Sequence, residues 1–140
     1  MSATRCNAWP EKLDLFIQEK RDQAFDWGTN NCAFFAADWV TILVGVDLAA
    51  EYRDKITSPL AAYRAVEAGG EVDAIAAEQL AAAGFPEIPL IYARRGDVVT
   101  THTRHGPAMG VFLGHCAAFA GTECLEFIPT TQLLRAWKIA

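Results

Sequence analysis

The chain has 140 residues, 52% of them hydrophobic, and its 12 basic and 17 acidic side chains leave a net charge of −5. That length and apolar content suit one domain over 1–140 with a real core. The acidic balance argues against nucleic acid as a partner, and no apolar run reaches the roughly 20 residues that span a bilayer.

The opening stretch, MSATRCNAWP, lacks the charged-then-apolar pattern of a signal peptide, so synthesis in a cytoplasm is expected. Trp9-Pro10 begins the first regular element, because proline is favoured at the first helical position. Leu13, Phe16, Ile17 and Lys20 follow at helical spacing and predict a helix over 10–22. FDWGTNN reads as a loop. A second helix starts near Cys32, with Asn30 or Asn31 as its N-cap and Gly45 as its stop. Phe35, Trp39, Ile42 and Leu43 form one face of it. Phe34, Val40 and Val44 fill the others, which predicts a central helix. SPLAAYRAVEAGG predicts a third helix over 59–68, and EVDAIAAEQLAAAG a fourth closed by Gly84.

After Pro86 and Pro89 the pattern changes. GDVVTTHT, AMGVFLG, HCAAFAG, CLEFIP and RAWKI read as strands separated by turn residues. Helices followed by an antiparallel sheet define an α+β chain. The basic residues Arg94, Arg95 and Arg104 read as ordinary surface, and Asp97 as a turn carboxylate.

The four cysteines are Cys6, Cys32, Cys116 and Cys124. None forms a CxxC pair, so a zinc site of that spacing is not expected, and no cofactor is expected for the chain. Cys116 and Cys124 fall where neighbouring strands could carry them, and both are expected reduced. Cys32 differs from the others in its position. A helix N-terminus offers unpaired N–H groups and a partial positive charge, which lower a thiol's pKa. A working nucleophile also needs a base within hydrogen-bond reach. The histidines are His102, His105 and His115, all in the sheet half. His105 precedes the strand AMGVFLG and His115 follows it, about 20 Å away at ~3.3 Å per residue, so at most one of the two serves a single thiol. The alternative is structural: a lone cysteine on an apolar helix is most often packed in a core.

These features together resemble the NlpC-like cell-wall peptidases, a branch of the papain-like fold. The resemblance rests on Trp27-Gly28 ahead of Cys32, on Gly96-Asp97-Val98-Val99, and on Met109-Gly110-Val111-Phe112-Leu113-Gly114. The chain resembles still more closely a group of small phage and prophage proteins of the tail tip. That likeness runs from Trp9-Pro10 through Ala37-Asp38, Asp47, Tyr52-Arg53 and Gly69-Gly70 to Ala136-Trp137. Two positions depart from the peptidases. Asn31 stands where they carry aspartate, and Ala108 where they carry the base histidine. The stretch Ala117-Ala118-Phe119-Ala120 is apolar where a third polar residue is expected.

The resemblance implies a papain-like domain with helices packed on a C-terminal sheet. It implies a place in the virion beside hub or distal tail proteins, as a structural component whose catalysis is lost. The alternative it implies is an active cysteine peptidase that cuts peptidoglycan stem peptides, with Cys32 as nucleophile, His105 as base and N–H groups around Cys32 as oxyanion donors.

Overall fold

A computed structural model describes residues 4–26, 30–103 and 106–140, the side chains of residue 32 and of residues 66–69 excepted. Among the described residues the fold is α+β: four helices followed by one six-stranded antiparallel sheet.

Helix α1 (Trp9–Lys20) has Pro10 in its first turn and buries Leu13 and Phe16. Helix α2 (Cys32–Val44) is the core element, as its all-round hydrophobicity predicts. Phe35, Trp39, Val40 and Leu43 are fully buried. The Phe16 ring of α1 lies 5.3 Å from that of Phe35 and 5.7 Å from that of Trp39. Gly45 ends α2 in the left-handed region at φ 77°, and its N–H donates to the Thr41 carbonyl. Helix α3 (Pro59–Gly69) begins after Ser58, whose Oγ accepts from the N–H of Ala61. Helix α4 (Val72–Ala82) buries Leu80.

The strands are β1 (Glu87–Ile88), β2 (Val98–Thr103), β3 (Gly106–Phe112), β4 (Cys116–Ala120), β5 (Leu125–Pro129) and β6 (Leu133–Trp137). Their spatial order is β1-β6-β2-β3-β4-β5. The sequence predicts the last five. It misses β1, which has two residues, and the return of β6 to the space between β1 and β2.

Side chains alternate between the two faces of each strand. One face carries Val98, Met109, Val111, Ala118 and Trp137, and packs against the helices in the main core. The other carries Val99, Ala108, Phe112, Ala117, Phe119, Leu133 and Ala136, which form a second apolar cluster bordered by Ile88 and Leu90. Strands β3 and β4 approach so closely at Gly110 that a Cβ there would sit 2.5 Å from the Ala118 carbonyl oxygen.

Asp97 is not the plain turn carboxylate that the sequence suggests. It lies just before β2, is fully buried, and forms an ion pair with Arg5 at 2.8 Å. Cys116 and Cys124 are free thiols. Cys116 starts β4 and Cys124 lies in the turn after its far end, so the hairpin itself separates them. Burial pushes the Cys116 thiol above its ordinary value.

Candidate functional site

Cys32 is the first residue of α2, where the sequence predicts it. Asn31 is the N-cap, with extended backbone at φ −92° and ψ 175°. Its Oδ1 accepts from the N–H of Ala33 at 3.0 Å and of Phe34 at 2.8 Å. Its carbonyl accepts from the N–H of Phe35. Two of the N–H groups nearest Cys32 are therefore taken by the chain's own side chain and are not open oxyanion donors. Asn31→Ala is expected to cost about 1 kcal/mol by loss of this cap, read as a lowered urea midpoint.

The segment leading into α2 is tied down. Asp26 and Asn30 exchange backbone hydrogen bonds, and Phe25 N–H donates to the Thr122 carbonyl beyond β4. Asn30 is buried, and its Nδ2 donates to the Ala24 carbonyl. Among the described residues its Oδ1 meets no donor. A buried acceptor left in that state costs about 1–3 kcal/mol.

Helix α2 packs on β3, the pairing expected for the Cys32 helix. The β3 residue that shares a lining with Asn31, Ala33 and Phe34 is Met109. Ala108, the position that carries the base histidine in the peptidases, belongs to the cluster on the other face of the sheet. Ala117, Ala118 and Phe119 are buried, in keeping with the apolar reading of that stretch.

His105, proposed from the sequence as the base, lies outside the described residues, as does Trp27-Gly28. His115 is exposed in the turn after β3, in a surface hollow with Asp14, Gln18 and Arg95. That is the far end of α2: the neighbouring Gly96 carbonyl accepts from Trp39 Nε1, two turns beyond Cys32. His102 pairs with Pro107 near the end of β2 and is exposed. Alternation along β2 from Val98 turns it toward the α2 side. The phase of β2 that sets this is fixed by its pairing with β3 and β6 and is not legible in the sequence alone.

Helix α2 also walls an apolar cavity of about 120 Å³. The other walls come from residues 48–56, α3, α4, Val98 and Met109. Outside it, Arg53 donates to both oxygens of Asp47, at 2.8 and 3.0 Å, and pairs with Asp38 at 2.8 Å. The guanidinium holds the Asp47 carboxyl below its ordinary range. Among the described residues no group of histidine, cysteine and acidic side chains is placed to hold a metal. No helix there is long and apolar enough to cross a membrane.

Fold and site together define an α+β domain whose central buried helix opens on a cysteine. The family model described as a domain of unknown function, DUF6950, matches residues 4–139, and the chain belongs to that family. Comparison with curated proteins gave no match.

Proposed function

We propose that this chain is a papain-like domain of the NlpC type that keeps its cysteine helix as architecture. In this reading it serves as a structural subunit of a phage tail tip, beside hub or distal tail proteins, and hydrolyses nothing itself. The observation that carries the reading is which of the two β3 residues at 108–109 faces the α2 side of the sheet. That residue is Met109, a thioether that cannot take a proton from a thiol. Ala108 turns into the cluster behind the sheet. The N–H groups of Ala33 and Phe34 are already bonded to Asn31. A cysteine without a base stays largely protonated at neutral pH and attacks slowly. The place in the tail rests on the motif resemblance from Trp9-Pro10 to Ala136-Trp137.

A second reading is an active peptidase acting on peptidoglycan, and it has its own support. Cys32 sits at the helix start, and alternation turns His102 to the same side of the sheet. One set of assays separates the two. Iodoacetamide labelling of Cys32 is followed across pH 5–9, and cell-wall digestion is compared among wild type, Cys32→Ala, His102→Ala and His105→Ala. Purified virions are analysed by mass spectrometry. The structural reading expects labelling that rises only above about pH 8, no digestion, and the chain present in the particle. Rapid labelling at pH 5–6, with digestion lost in Cys32→Ala and one histidine variant, would establish the peptidase instead. Absence from particles would remove the tail-tip role.

A further inference from the structure

We propose that the half-open apolar pocket between α2, α3, α4 and residues 48–56 is a binding site for a small neutral apolar molecule, the size of one aromatic ring or a short alkyl chain. The inference is independent of the tail-tip reading and of Cys32 chemistry.

The first ground is volume. The pocket offers about 120 Å³, close to the roughly 150 Å³ in which an apolar protein cavity holds benzene. The second is the chemistry of the walls. Ala33, Ala36 and Ala37 of α2 face Ala62 and Ala65 of α3 and Ala76 of α4 across the space. None of the described lining residues carries a charge. Two of its polar members are already engaged: Asn31 Oδ1 caps α2, and Gln79 Nε2 donates to Glu51 at 2.7 Å. The site therefore matches an uncharged ligand with few polar atoms.

The third ground is that three of the walls are anchored in place. Helices that face each other through alanine can approach closely and squeeze such a void out. Here α2, α4 and the 47–53 segment are tied to one another or to the sheet from outside. Arg53 ties the 47–53 segment to Asp38 of α2 at 2.8 Å. The Gln79–Glu51 bond joins α4 to the same segment. Arg135 of β6 holds Asp73, in the first turn of α4, at 3.3 Å, and Glu87 at 2.7 Å. The space is thus built into the folded chain, and a ligand finds it preformed.

The test is a titration of the methyl-labelled full chain with benzene, followed by NMR. Saturable shifts are expected at the methyl groups of Ile56, Ile75 and Met109, with a thermal midpoint that rises with benzene concentration. Ala76→Leu places an isobutyl group in the void and is expected to weaken binding at least tenfold in a folded protein. Ala62→Val attacks the opposite wall and makes the same measurement if Ala76→Leu does not fold. Wild type that shows no saturable shift up to the solubility limit of benzene overturns the proposal, and leaves the space to a side chain of a partner protein. Unchanged binding in a folded filling variant overturns it too.

Discussion

Asp97→Ala is expected to cost about 3–5 kcal/mol, read as a lowered urea midpoint with an unchanged slope. That is a fifth or more of the stability of an ordinary domain, and a fall in melting temperature of roughly 10–20 °C. The size follows from what the carboxylate holds. Its Oδ1 accepts from Arg5 at 2.8 Å and from the Ile139 N–H at 3.0 Å, while its Oδ2 accepts from the Arg94 N–H at 3.0 Å. Arg5 in turn donates to the carbonyls of Ile139 and Arg95 and lies over the Trp9 ring at 4.4 Å. Burial and the nearby Arg94 lower the Arg5 pKa, and Asp97 is what opposes them. Removing Asp97 leaves a buried guanidinium without its counter-charge, and that uncompensated charge is the main loss. Asp97→Asn keeps one acceptor oxygen and is expected to lose less.

Trp39→Ala is expected to cost a similar amount, about 3–5 kcal/mol. The indole is fully buried between α1 and the sheet, so its removal leaves a cavity that Phe16 and Phe35 cannot fill without shifting. Trp39→Phe separates the contributions. It keeps most of the ring volume but strips the Gly96 carbonyl of its indole donor, at 2.9 Å in the native chain. A loss of about 1–3 kcal/mol is expected there. Gly96 and Asp97 are adjacent, so Trp39→Ala with Asp97→Ala should lose less than the sum of the two. Strict additivity in urea titrations would show that the indole and the Arg5–Asp97 pair act independently.

The local signals in the sequence carried a long way. Pro10, the paired asparagines before Cys32, and Gly45 each mark a helix boundary through the backbone geometry that they favour. They locate α1 and α2 to within two residues. The strands of the sheet half were legible from their composition and turns. Sheet order was not, because β6 enters between β1 and β2 through the pairing of Trp137 with both Glu87 and Val98, which leaves no local trace. The Arg5–Asp97 pair joins residues 92 positions apart and was hidden for the same reason. At the site, the sequence placed Cys32 correctly and drew attention to Ala108. It did not show that Ala108 faces away from α2 and Met109 toward it, because the phase of a strand depends on which neighbour sets its register. Nor could it show that Asn31 takes the N–H groups of Ala33 and Phe34 beside Cys32. The cavity depends on how α2, α3 and α4 pack against one another, a tertiary arrangement that leaves no local trace in the sequence.

The position of β6 imposes an order on synthesis. Residues 133–139 are translated after β1 to β5, yet they supply the whole of β1's pairing among the described residues and one side of β2's. They also deliver the Ile139 groups that bond Asp97 and Arg5. While those residues are still inside the ribosome, β2 has an open edge, and Asp97 and Arg5 lack two of their partners. An emerging chain can form its helices and the β2–β5 meander, but it cannot close its core until β6 has emerged. Such non-local closure is intrinsically slow, because the loop entropy is lost before any contact repays it. The nascent chain therefore spends its most exposed moments with a bare β2 edge, the state in which strand edges pair with the wrong neighbour.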